Sequence, residues 1–320
     1  MLPDPAQVRV DSNLSETGGR PVNSGMPCQP GGRLGGALRL RTAAGRRLGS
    51  CGVGEGELLV GDGVTQGIVR IGDTVRRPLR PFSLTVQAYL AHLRDAGFTG
   101  APLPFGVDEQ GREVLSFVPG DVPRNPLPPE TAGDDVLVAL ARLIRALHEA
   151  SAGWVPPPDA VWGGTPASEG RPITRRTELV SHCDYYPGNV VFRDGLPVAL
   201  IDFDLAHPTT RLYDIANALW YWAPLRDPRD RSPAFADADI PHRVAVFADA
   251  YGMTARHRAE LAPFAVDMAR RYHEDSRTSA ELDPVFRRLW EDGAKDELPR
   301  AEAWLRKVAP AITARLSQPT

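Results

Sequence analysis

The residues best suited to chemistry lie near the middle of the 320-residue chain, in Val180-Ser181-His182-Cys183-Asp184-Tyr185-Tyr186-Pro187-Gly188-Asn189 and then in Ile201-Asp202-Phe203-Asp204. An amide and carboxylates at this spacing suit phosphoryl transfer, which asks little covalent work of a protein. It needs one carboxylate to take the proton of an acceptor hydroxyl, and oxygen ligands for the magnesium that bridges the phosphates. The interval between the two stretches decides whether they meet. Asn189 precedes one apolar run, Val190-Val191-Phe192, and Asp202 follows another, Val198-Ala199-Leu200-Ile201, with Asp194-Gly195 between them. Asp-Gly between such runs signals a hairpin. Paired strands lie about 4.8 Å apart, so folding back predicts Asn189 beside Asp202, with Asp184 on the loop just before.

Positioning these groups falls to a strand-rich part followed by a helical one. From Leu58, short apolar runs with glycine punctuation predict three strands, with Gly61, Gly63 and Gly67 in the turn between the first two. Pro81 to Gly97 has helical spacing and a terminal glycine, and strands follow around 103–107 and 113–118. This makes a small lobe over 55–118. The proline-rich segment 119–129 is the connection, and 130–317 forms a larger lobe. Its first helix runs from Val136 to Ala150; after Asp214 the pattern predicts helices at about 212–223, 241–251, 254–273, 278–292 and 296–316. Residues 1–54 are rich in Gly, Pro, Ser and Arg, with seven arginines against three acids in the first fifty, and read as an unstructured arm, with Met26 as a candidate later start.

His182-Cys183-Asp184, Asn189 five positions after the Asp, and Asp202-Phe203-Asp204 together resemble the aminoglycoside phosphotransferase and choline kinase-like family, relatives of protein kinases. The similarity covers about 58–305. The resemblance implies an α+β, two-lobed protein-kinase-like fold, with a small antiparallel-sheet lobe and a larger, mostly helical one. It implies Asp184 as catalytic base and Asn189 and Asp202 on Mg2+, with ATP or GTP as phosphoryl donor. His182 would hold the loop through backbone hydrogen bonds. Asp204 would meet the metal through water or a neighbouring arginine, and Asp214 would brace the catalytic loop as the buried acid of the next helix. Backbone groups around Phe117 and Val118 would meet the nucleotide base, and Gly61, Gly63 and Gly67 would let amides approach its phosphates.

Three positions depart from the family pattern. Cys183 stands where glycine is usual. The fold places a lysine on the third strand, but the only lysines are Lys295 and Lys307. Strand alternation makes Arg77 the replacement, with Arg76 the alternative. The acid expected on the small-lobe helix is missing too, since Gln87 or His92 occupies its middle.

Composition narrows the classes. A net charge of −3 argues against a dedicated nucleic-acid binder, and the sequence lacks an apolar run long enough to span a membrane. Three cysteines without disulfide or metal spacing fit a cytoplasmic protein. The expected partners are a nucleotide and a small hydroxyl-bearing substrate, for a monomer or weak homodimer. Residues 224–300 hold fifteen acids and thirteen bases, so no acidic bias marks the acceptor. The alternative to an enzyme is a catalytically weak nucleotide-binding or regulatory module that has kept the fold.

Overall fold

The computed structural model describes residues 56–59, 67–168 and 176–318; the N-terminal arm, Gly61 and Gly63 lie outside them. The first elements are β1 (Glu57–Leu58), β2 (Val69–Ile71), β3 (Thr74–Pro78), α1 (Ser83–Asp95), β4 (Pro104–Val107) and β5 (Arg112–Ser116). They form an antiparallel five-stranded sheet in the order β1-β2-β3-β5-β4. Helix α1 presents Val86, Tyr89, Leu90 and Leu93 to the core, one helical face, and Phe98 closes its end by donating to the Leu93 carbonyl. The connection that follows is not loose: Asp121 exchanges backbone hydrogen bonds with Phe192 at 2.9 and 2.7 Å.

The helical part begins with α2 (Asp134–Ser151), whose Val136, Leu137, Leu140, Ile144 and Leu147 are all buried. Four short strands then carry the motifs: β6 (Leu179–Ser181), β7 (Val190–Arg193), β8 (Leu196–Leu200) and β9 (His207–Thr209). β7 pairs with β8 as the predicted hairpin, and β6 pairs with β9 around it. Asp194 and Gly195 both have positive φ, 51° and 78°, as the tight two-residue turn requires.

Helices α3 (Arg211–Trp222), α4 (Ile240–Tyr251), α5 (Ala255–Leu282), α6 (Pro284–Leu289) and α7 (Lys295–Leu316) complete the chain. Thr210, Asp239 and Thr254 cap α3, α4 and α5 through their side-chain oxygens. The predicted break between 273 and 278 does not occur; α5 runs for 28 residues and ends at Asp283. The core is continuous from α1 through α2, the motif strands, α3, α4 and α5 to α7. Among the described residues no helix is long and apolar enough to cross a membrane.

Candidate active site

The nested strand pairs hold two loops at one place. Residues 182–189 join β6 to β7 and residues 201–206 join β8 to β9, so the pairing β6–β9 outside and β7–β8 inside gives both loops a common base. The Ile201 amide donates to the Asn189 carbonyl at 2.9 Å, which puts Asn189 next to the start of the second loop. Asn189 Nδ2 donates to Asp184 Oδ2 at 2.9 Å and to its carbonyl at 3.2 Å. The imidazole of His182 links the loops: Nε2 lies 2.9 Å from the Ile201 carbonyl, and Nδ1 accepts from the Asp184 amide at 3.3 Å. This pair of contacts fixes the Nε2–H tautomer, and burial lowers the His182 pKa, keeping the ring neutral.

Beneath the first loop is a buried polar knot. Asp214, at the start of α3, accepts from His148 Nε2 and Ser181 Oγ, each at 2.6 Å, from the Cys183 amide at 3.0 Å, and from the Tyr185 hydroxyl. Burial pushes its pKa up, but the hydrogen bonds and the charge of His148 win and hold it below the usual carboxylate range. Tyr185 is therefore a core residue here, fully buried. Cys183 adopts φ 61°, the left-handed region that suits glycine, and Asp202 does the same.

The basic group of the site comes from the small sheet. Arg77, on β3, places Nη1 3.2 Å from Asp202 Oδ1 and Nη2 2.7 Å from Asp204 Oδ1, while Nε donates to Glu113 Oε2 at 2.5 Å. Arg76 points the other way, 3.8 Å from Asp108. Burial opposes the charge on Arg77, but Asp204, Glu113 and Asp202 outweigh it and hold its pKa above normal. The ion pair thus forms with an acid from strand β5, where the helix supplies none. Gln87 donates to Glu113 Oε1 at 3.2 Å, whereas His92 packs on α2, 2.9 Å from the Ala150 carbonyl. Glu113 is a residue that pattern reading missed. Its signal is an acid opposite Arg77 on the next strand, and that depends on a register the sequence does not print.

Asp184 also lines a cavity of about 520 Å³ between the first loop, residues 163–168 and α5. Burial, then the charge of Asp202, pushes its carboxyl up to about 7. Facing it are Asp267, Arg271, Asp275 and Thr278 from α5 with the aromatic rings of Tyr213 and Phe264. Asp267 pairs with Arg270 and Arg271, whereas among the described residues Asp275 accepts from the Thr165 hydroxyl, at 3.1 Å, and burial raises its pKa. The wall is locally acidic, a bias that counting over 224–300 averaged away. The 163–168 segment is fixed at its start: a Cβ on Gly163 would collide with the Asp204 carbonyl oxygen.

The family model for the phosphotransferase enzyme family (APH) matches residues 166–264. The trifolitoxin immunity protein of Rhizobium leguminosarum bv. trifolii is 33% identical over 243 residues, 72% of this chain and 90% of that protein. The chain belongs to the phosphotransferase enzyme family. A homoserine kinase of Phenylobacterium zucineum (strain HLK1) is 49% identical over 45 residues, 14% of each chain. In fold, the protein resembles a choline/ethanolamine kinase family protein from Mesorhizobium loti, with TM-score 0.54 at 17% identity over 82% of this chain and 92% of that one. The two-part α+β architecture is therefore the protein-kinase-like fold.

In this phosphotransferase the candidate nucleotide side runs along the small sheet to the segment after β5. Gly67 enters β2 with φ 80°. The Phe117 amide donates to the Asp73 carbonyl at 2.8 Å, so it is spent inside the sheet region, and the Phe117 ring lies under the Arg70 guanidinium. Val118 follows at the edge of the connection, half-buried. Phe117 lies four positions beyond Glu113, one past the end of β5, roughly 13 Å at strand rise. The site is rich in carboxylates: among the described residues Asp202, Asp204 and Glu113 surround the guanidinium of Arg77. Among the described residues no three His, Cys, Asp or Glu side chains converge as a ready-made metal cage. Oxygen donors with an excess of negative charge fit a hard cation such as Mg2+, which takes few protein ligands and completes its shell with water and phosphate.

Proposed function

We propose that this phosphotransferase moves the γ-phosphoryl group of ATP, or GTP, to a hydroxyl of a small molecule. The observation that carries the reading is that Asp184 is at once a wall of the cavity and the hydrogen-bond partner of Asn189. It therefore joins an acceptor space to the side where Asn189, Asp202 and Arg77 gather. In the step, the acceptor hydroxyl lies against Asp184 and gives it its proton as the oxygen bonds to the γ-phosphorus. The bond to the β,γ-bridging oxygen breaks, and the nucleoside diphosphate leaves with that electron pair. Asn189 and Asp202 would hold Mg2+, whose contribution is to neutralise charge on the phosphate oxygens. Arg77 would grip those oxygens in two-point fashion. The strip from Phe117 to Val118 would flank the base, a distance from Arg77 that a nucleoside triphosphate spans.

The acceptor cavity favours a hydroxyl compound bearing positive charge, since Asp275 has a hydroxyl partner but no pairing cation among the described residues. This revises the neutral expectation drawn from residue counts. A second reading keeps the chemistry and makes the acceptor a toxin: the 33% identical relative is named an immunity protein. A cytoplasmic setting, which supplies nucleotide, suits both.

The test is phosphate transfer from γ-labelled ATP with Mg2+ into a metabolite extract and a panel of hydroxylated amines, using wild type, Asp184→Asn and Asp202→Ala. The reading expects labelled products from wild type that both variants lose. Nucleotide binding with no labelled product across the panel would instead leave a binding module.

A further inference from the structure

We propose that Glu113 is the positioning residue of the phosphate-binding cation, so that the ion pair supporting the nucleotide is built wholly within the small sheet and not between sheet and helix. The inference rests on the phosphotransferase reading above and assigns a role to a residue that the motif pattern does not contain. Arg77 and Glu113 are directly opposed in the β3–β5 register, which turns both side chains to one face. Glu113 is completely buried. Its oxygens accept from Arg77 Nε, from Ser83 Oγ at 3.3 Å and from Gln87 Nε2 at 3.2 Å.

The anchoring atom matters. Holding a guanidinium by Nε fixes its plane and leaves the Nη1 and Nη2 edge turned outward, here toward Asp202 and Asp204. That edge is the one able to meet two phosphate oxygens at once. Helix α1 gives only neutral groups to the network, and Gln87 is itself clamped to β4 through the Gly106 amide and carbonyl, at 3.0 and 3.1 Å. The charge that orients Arg77 therefore does not travel with the helix. Two adjacent strands joined by a backbone ladder set the anchor at Nε, and the second motif loop meets only the other edge.

The experiment compares Mg-ATP and adenosine binding to the full-length protein by calorimetry, for wild type, Glu113→Gln and Glu113→Asp, with a melting curve for each. Removing the carboxylate charge should weaken Mg-ATP by about tenfold or more, the scale of a lost charge-assisted contact, while adenosine, which has no phosphate, changes less than about twofold. Glu113→Asp keeps the charge with a shorter reach and should fall between; it also serves if Glu113→Gln does not fold. Equal weakening of both ligands would mean that Glu113 merely holds the sheet, and unchanged Mg-ATP affinity would mean that Arg77 needs no anchor. Either result overturns the proposal and leaves the reaction untouched. A wild-type protein that binds no nucleotide would overturn the donor assignment and this proposal with it.

Discussion

Asp184 is the residue whose environment is most at odds with its ordinary chemistry. A carboxyl normally near 4 is pushed up to about 7 by burial and then by Asp202. The folded protein therefore keeps a proton that the unfolded chain releases between about pH 4 and 7. Stability contributed by this group is full below that window and declines as pH rises through it. Wild type should melt at a lower temperature at pH 8 than at pH 5, and Asp184→Asn should flatten part of that slope; parallel profiles for the two proteins would rule the protonation argument out. In turnover, Asp184→Asn should cost about 10²–10⁴-fold, the usual range for a general base. Asp214 is the opposite case, a buried carboxylate with every partner in place. Asp214→Ala strands His148 and should cost about 3–5 kcal/mol in a denaturant titration. The meeting of the two motif loops and the acid in the first turn of α3 were legible from spacing, because loop length and residue type are local properties. Glu113 was not, because its meaning comes from the residue across the sheet.

Among the elements, the β7–β8 hairpin was readable since Asp194-Gly195 between apolar runs has few alternative conformations. The extent of α5 was not. Its polar stretch around 270–279 resembles a helix end, yet Asp267, Arg271, Asp275 and Thr278 recur at helical spacing and line the cavity beside Asp184. Polarity there belongs to a site-facing stripe. The segment 154–168 has no helix or strand, yet it is tied at several points. Val161 donates to Thr85 on α1, Gly163 abuts Asp204, and Thr165 and Ala167 bond Asp275 and Ser279 on α5. Gly163→Ala should therefore displace the second motif loop from below. The expected outcome is a fall in kcat of about tenfold or more, since small misplacements are costly in such reactions, beside a modest change in melting temperature. Kinetics equal to wild type would show that the loop absorbs the added methyl.

For the whole molecule, the two parts meet through a shared core and through polar ties laid over it. Arg77 reaches from the sheet to Asp202 and Asp204, and the Tyr89 hydroxyl on α1 bonds the Val180 carbonyl at 2.8 Å. On the proposed reading, a nucleotide with Mg2+ would replace repulsion among the carboxylates by attraction shared across both parts, so it should raise the unfolding midpoint. At a hundredfold excess over Kd the gain is about 2.7 kcal/mol; a thermal-shift series with ATP, Mg2+ and both together should show that only the combination gives it. An equal shift with ATP alone would remove the cation from the account. The fold class was legible from the order of strands and helices. Which strand would supply the acid, and which helix face the cavity wall, depended on pairings between distant segments.

The nesting of β7–β8 inside β6–β9 has a practical side. The turn Asp194-Gly195 is exposed at its tip, and a cut there leaves Asp184 and Asn189 on one fragment and Asp202 and Asp204 on the other. Neither piece owns a complete centre, while the outer pair can draw the two together again. Split at that bond and fused to two interacting partners, the chain would become a reporter whose turnover counts reassembly.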